Sequence, residues 1–187
     1  MNTAKMGALL LVALGVFACS AKPASLIKYE KNGVSFSHFS DWKVTGDETN
    51  DGWRSIELEG PAESIVSFIV MPASTEMTLD AYASAMAHER KTGMTEPMFF
   101  GAIPPPKFTP TVREKTTAQV GGASQNGITH TFNVKLLGET VPHKSAFFMV
   151  ADQHRKAFII TQVATEDIKR VTPGFNATLA SFRLNKP

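Results

Sequence analysis

The stretch Gly127-Ile128-Thr129-His130-Thr131-Phe132-Asn133-Val134-Lys135-Leu136-Leu137 alternates cleanly, with Ile128, His130, Phe132, Val134 and Leu136 on one side and mostly polar residues between them. A period of two is the signature of a strand that buries one face and wets the other. Gly121-Gly122 precedes it and Gly138-Glu139 follows it, so turns bound the strand on both sides. Beyond them lie two more strand-like runs, Val141 to Ala151 and Lys156 to Val163, joined around Asp152. Upstream, Thr111 to Val120 is polar and reads as an edge strand.

Working outward, the first part of the chain repeats the pattern. Leu26 to Glu30 is a short strand. Asn32-Gly33 is the strongest short hairpin signal, and Val34 to Phe39 alternates after it. Trp42 to Thr45 follows the Ser40-Asp41 turn, and Trp53 to Glu59 sets Ile56 and Leu58 opposite Ser55, Glu57 and Glu59. Gly60-Pro61 breaks that run. Ser64 to Met71 is almost wholly apolar, which predicts a central strand covered on both faces. A helix is predicted next, with Thr78 as N-cap, Asp80 in the first turn, Leu79, Tyr82, Ala83 and Met86 at helical spacing, and Lys91 and Gly93 at its end. A closing helix carries the apolar stripe Ile168, Val171, Phe175, Leu179 and Phe182. Pro173 interrupts this stripe. It predicts a helical turn up to Arg170 and then a helix capped by Thr172 with Pro173 at its first position. Strands joined by hairpins, with helices set apart from them, predict an α+β fold built on a mostly antiparallel β-sheet flanked by helices.

The first residues do not belong to that fold. Lys5 supplies a positive start and Met6 to Phe17 an apolar run, shorter than the roughly 20 residues a bilayer span needs. Val16-Phe17-Ala18-Cys19 resembles the bacterial lipobox, in which cleavage precedes a diacylglyceryl-modified cysteine. Ordinary signal cleavage after Ala21 is the other reading. The organisation expected is a signal peptide over 1–18, a lipidated N-terminus and tether over 19–26, and a single domain over 27–187. Cys19 is the only cysteine, so disulfides, thiol catalysis and cysteine metal clusters are excluded. Lys and Arg number 19 against 17 Asp and Glu, without a basic stripe, so a nucleic-acid partner is not expected.

Several residues then point to one family. Gly33-Val34-Ser35-Phe36-Ser37, continuing through Asp41-Trp42-Lys43-Val44, resembles the opening hairpin of the PsbP-like superfamily. Leu79-Asp80-Ala81-Tyr82 resembles the start of its middle helix, and Leu179-Ala180-Ser181-Phe182-Arg183-Leu184 its closing helix end. That superfamily takes in PsbP proteins, DcrB-type lipoproteins and Ran-binding Mog-like proteins. The resemblance implies an α/β/α sandwich and a non-enzymatic role beside other proteins.

Gly-x-Ser-x-Gly does not occur, and Ser124 is a turn serine. His88-Glu89 begins a zinc motif, but Thr92 stands where the second histidine belongs. His130, on the apolar strand face, reads as a hydrogen-bonded core or rim residue. His143 and His154 approach each other only if their hairpin pairs suitably, and two histidines alone make a poor metal site. Met71, Met77, Met94 and Met98 read as gap-fillers in an irregular core. No catalytic residues, metal or cofactor are expected. The stretch Met94 to Pro110 remains, a long loop stiffened by Pro104-Pro105-Pro106 and rich in apolar residues. Phe99, Phe100, Ile103, Pro104, Pro105, Pro106 and Phe108 are its candidate partner-binding residues, unless Phe99 and Phe100 fold back over a sheet edge.

These observations lead to a non-enzymatic lipoprotein of the bacterial cell envelope, facing the periplasm. Its partners would be the membrane, through the lipid at Cys19, and an envelope protein that it assists. Ser20 after the cysteine slightly favours the outer membrane. The alternatives are a periplasmic carrier of a small apolar ligand or lipid, and a soluble periplasmic or secreted location.

Overall fold

The computed structural model describes residues 25–92 and 105–185. The chain opens with two hairpins. Strands β1 (Leu26–Lys31) and β2 (Val34–Phe39) meet at Asn32-Gly33, and β3 (Lys43–Asn50) and β4 (Trp53–Gly60) meet at Asp51-Gly52. Both residues of each turn have positive φ, Asn32 at 47° and Gly33 at 73°, Asp51 at 44° and Gly52 at 82°. That is the twist-matched two-residue hairpin that Asn-Gly and Asp-Gly favour. The second turn carries β3 well past Thr45, where the sequence reading ended it.

A 3-10 turn leads into β5 (Ser64–Pro72). Helix α1 (Leu79–Thr92) follows, and the Thr78 hydroxyl oxygen accepts from the Ala81 amide at 3.1 Å, as the expected N-cap. The chain continues through β6 (Lys107–Phe108), β7 (Val112–Val120), β8 (Ala123–Leu136), β9 (Glu139–Ala151) and β10 (Arg155–Ala164). It ends with helix α2 (Ile168–Ser181) and the short β11 (Arg183–Leu184). All strand pairings are antiparallel. A three-stranded sheet runs β1-β2-β11, and an eight-stranded sheet runs β3-β4-β5-β10-β9-β8-β6, with β7 also paired to β8. The α+β architecture expected from the sequence is the one observed.

The two sheets enclose the main core. Every second residue of the large sheet points inward: Ile56 and Leu58 on β4, Val66, Phe68 and Val70 on β5, Ala157, Ile159 and Val163 on β10. Val34 and Phe36 of β2, with Val171, Leu179 and Phe182, meet them from the other side. Phe68 is sandwiched, its ring centroid 4.6 Å from Phe36 and 5.1 Å from Phe182, with all three planes nearly parallel. Trp42 seals one end against α2. A Cβ added at Gly174 would lie 2.4 Å from the Trp42 ring, so the helix approaches closely only because that position is glycine. Ser181 fastens α2 to β2: its hydroxyl oxygen accepts from the Ser37 amide at 2.8 Å.

Two expectations change here. Helix α2 is continuous through Pro173 instead of starting there, and the Thr172 hydroxyl donates to the Ile168 carbonyl at 2.6 Å within the helix. The stripe Val171, Leu179 and Phe182 is buried as one unit, which outweighs the lost hydrogen bond. Pro173 and Lys169, whose carbonyl loses its helical donor, both lie on the exposed side. Likewise the long loop is not irregular up to Pro110, because Lys107 and Phe108 pair with Lys135 and Val134 of β8.

A polar latch ties the small sheet to the large one. Arg54, 7% exposed, donates to Asp47 Oδ1 at 2.7 Å and Oδ2 at 3.0 Å, to the Tyr29 hydroxyl at 2.8 Å and to the Lys31 carbonyl at 2.9 Å. The Arg54 guanidinium, supported by Lys31 and Tyr29, holds the Asp47 carboxyl well below the usual carboxylate range.

Candidate functional site

Among the described residues, the opposite face of the large sheet is covered by α1 alone. Tyr82 and Ala83 are the buried residues of this helix, and Tyr82 stacks on Phe158 with centroids 4.4 Å apart. Met71, Met77, Met86 and Met149 pack around this second, smaller cluster, as gap-filling methionines do. Because α1 crosses only part of the face, a groove of about 470 Å³ stays open beside it. Its floor is Ile65, Ile160 and Phe147, its sides are Met86 and Phe108, and Glu57, Glu89, Arg90 and Gln162 bring polar groups to it.

The position of each lining residue follows from local periodicity. Ile65 and Ile160 are the residues that alternate with the buried Val66 and Ile159, so they face away from the main core. Met86 and Arg90 follow Tyr82 at steps of four along α1 and share its inward side. Phe108 reaches the groove because β6 pairs with β8, and its ring lies 6.2 Å from Phe132.

Arg90 is the electrostatic feature of this region. Its Nη2 lies 2.8 Å from His130 Nδ1, and its guanidinium carbon sits 4.3 Å from the centre of the Phe132 ring. Its Nε is buried without a hydrogen-bond partner. Among the described residues no carboxylate pairs with it. His130 is almost wholly enclosed, with its ring 4.7 Å from that of Phe147. Burial, then the nearby charges of Arg90 and Arg113, lowers its pKa from 6.5 to about 4. The imidazole is therefore neutral at pH 7, with Nδ1 as acceptor for the arginine and the proton on Nε2. Burial also pulls the Arg90 pKa down from its ordinary value. The Tyr82 hydroxyl is pushed up to about 12 by burial and then by Glu89. A neutral histidine that holds a desolvated cation at an apolar groove can position an anionic group, but it offers no nucleophile–base pair.

The sequence-predicted residues are distributed unevenly. Phe108 lines the groove, while Pro105 and Pro106 are half-buried before β6 and do not line it. Phe99, Phe100, Ile103, Pro104 and Cys19 lie outside the described residues. His130 is the hydrogen-bonded core residue expected. His143 and His154 are not brought together: His143 pairs opposite Ala164, whereas His154 lies in the turn at the other end of the β9–β10 hairpin. No group of three or more metal-binding side chains occurs among the described residues. Arg90, Ile65, Ile160 and Phe147 were not singled out beforehand. The four-residue step from Met86 to Arg90 was the one signal that could have found Arg90. No helix among the described residues is long and apolar enough to cross a membrane.

No protein-family model matches the chain, and no curated protein matches it. Among solved structures it is similar to cyanobacterial PsbP (CyanoP) from Synechocystis sp. PCC 6803, at 14% identity and a TM-score of 0.49, over 91% of this chain and 98% of that one. It is also similar to LpqN, a protein involved in cell envelope biogenesis of Mycobacterium tuberculosis, at 9% identity and a TM-score of 0.45, over 89% of this chain and 87% of that one. At these identities and TM-scores neither likeness transfers a residue's role.

Proposed function

We propose that this chain is a non-enzymatic accessory factor of the bacterial cell envelope, anchored by lipid at Cys19, which holds an apolar segment of a partner protein in the groove beside α1. One observation carries the reading. The large sheet is sealed on one face by β1, β2 and α2, yet on the other the described residues leave Ile65, Ile160 and Phe108 around a groove floored by Phe147. Apolar surface kept open within an otherwise well-packed domain marks an interaction site. A groove open to solvent suits a segment of a partner better than a small ligand, which is usually enclosed on most sides. The absence of any catalytic grouping in the sequence supports a binding role, and the apolar leader ending at Cys19 supports the address.

The test is a cross-linked pull-down from native membranes, comparing the unaltered chain with Ile65→Glu, Ile160→Glu and a deletion of Pro104 to Pro106. One abundant envelope protein captured by the unaltered chain and lost with either groove variant is the expected result. Capture that survives both groove variants removes the groove from the reading. Arg90 favours a second reading, a carrier of an apolar molecule with an acidic group, because its charge has no carboxylate partner among the described residues. Mass spectrometry of a co-purifying small molecule, lost with Arg90→Gln, would establish that reading in place of the first.

A further inference from the structure

The β8–β9 hairpin is longer than the sheet that contains it. Strand β10 ends opposite β9 at the Ala164–His143 pair, but β9 and β8 continue pairing out to Glu139 and Leu136. From His143 to Glu139 this adds about 13 Å of two-stranded arm. Strand β6 braces it on one side, through Lys107 opposite Lys135 and Phe108 opposite Val134. The tip is Leu137-Gly138, and Leu137 has φ of 52° and is 67% exposed. A two-residue hairpin asks for Asn, Asp or Gly at that first position, and a leucine there is both strained and wet. Folding alone gives no reason for it, and a local outlier of this kind points to use.

The arm also lies on an informative rim of the sheet. Successive pairings run from Lys43–Glu59 through Gly60–Ser64 and Ile65–Gln162 to Ala164–His143. Ser25, the first described residue, joins the same rim, its carbonyl accepting from the Ser40 amide at 2.8 Å. The chain from Cys19 to Ser25 reaches roughly 20 Å at full extension. A lipid on Cys19 therefore keeps this rim within reach of the bilayer surface, with the arm projecting from it. The turns along the rest of the rim carry Asp41, Glu63, Glu166 and Asp167 against Lys43, so they are acidic on balance. The arm and its brace carry Lys107 and Lys135 against Glu139, and Lys144 stands at the arm's base, all exposed. An apolar tip behind a cationic collar matches the surface of a membrane that contains anionic phospholipid.

We propose that the β8–β9 arm is a second membrane contact, with Leu137 entering the headgroup region and Lys107, Lys135 and Lys144 resting on anionic lipid. This rests on the anchoring at Cys19 proposed above. One leucine and three lysines orient an anchored domain, whereas the lipid does the holding. The consequence is a fixed presentation, with the domain standing on two points instead of swinging on a tether.

Because Cys19 is the only cysteine, an introduced thiol is the sole labelling site in a lipidated chain. Leu137→Cys and His154→Cys, the latter on the opposite rim, are spin-labelled in the lipidated full-length product. Each is reconstituted into vesicles of phosphatidylethanolamine and phosphatidylglycerol. The expected result is a ratio of oxygen to nickel-chelate collisions severalfold higher at 137 than at 154, falling to parity when Lys107 and Lys135 are both changed to Glu. Equal ratios at the two positions, in protein whose mass includes the lipid, overturn the arm contact and leave the anchoring intact. A mass without the lipid overturns the anchoring and this inference with it. Leu137→Asn separates use from folding: it leaves the urea midpoint unchanged or raises it, as relief of the turn requires.

Discussion

The two faces of the large sheet are built from alternate residues of the same strands, yet they serve different ends. On β5, Val66, Phe68 and Val70 enter a core sealed by the small sheet and α2, while Ile65, Ser67, Ile69 and Met71 stay half-buried beneath and beside α1. One face is filled by stacked rings and by a helix brought close through Gly174. The other has a helix with only two buried residues and an open groove. Stability concentrates on the first face, and the second is the one proposed to bind.

The contrast can be broken most sharply at Phe68. Phe68→Ala removes the central ring of a three-ring stack and is expected to cost roughly 3–5 kcal/mol. Ile65→Ala, one residue earlier on the other face, is expected to cost only about 1 kcal/mol, because part of that side chain is already in water. Urea unfolding of both variants decides the matter, and equal losses would abolish the distinction between a structural and a binding face.

The latch between the sheets comes next. Asp47→Ala leaves the enclosed Arg54 guanidinium without its carboxylate and is expected to cost about 3 kcal/mol. The same pair gives an acid signature. The Asp47 carboxyl is held below its ordinary value of 3.8 in the folded state. Its contribution is thus complete above that value and is lost as pH falls below it. In Asp47→Asn the fall in stability below pH 4 is expected to be shallower than in the unaltered chain.

A smaller effect with the same direction in pH belongs to the α1 face. His130 binds its proton with a pKa of about 4 when folded and 6.5 when not. The unfolded chain therefore takes up more protons between those values, and folding weakens as pH falls through that window. His130→Gln is expected to reduce the difference between urea midpoints at pH 7 and pH 5. An unchanged difference would show that the histidine protonates in place, beside Arg90 and Arg113, without penalty.

Most of the architecture was legible from local pattern. The alternation from Ile128 to Phe132 placed β8 and its buried side, Asn32-Gly33 placed the first hairpin, and Thr78 placed the start of α1. Asp51-Gly52 carried as strong a signal as Asn32-Gly33, yet the reading missed it because polar residues on both sides hide β3's alternation. The closing helix was misjudged at Pro173, since a rule of local geometry was set against burial that the chain achieves only at long range. The groove was barely legible. Of the described residues among those proposed for binding, Phe108 lines it, and it arrives through a two-residue strand that no periodicity can reveal.

Local pattern alone carries the alternation of strands, the turns that join them and the two helices. These are properties of neighbouring residues, governed by periods of two and 3.6 and by the backbone preferences of Asn, Asp and Gly. Long-range packing instead decides which face α1 leaves uncovered among the described residues, that Arg90 rests on His130 and Phe132, and that the β8–β9 arm outruns its sheet on the rim where Ser25 lies. Those facts depend on register between strands far apart in the chain, and register is set by the sum of many weak side-chain contacts that no single segment contains.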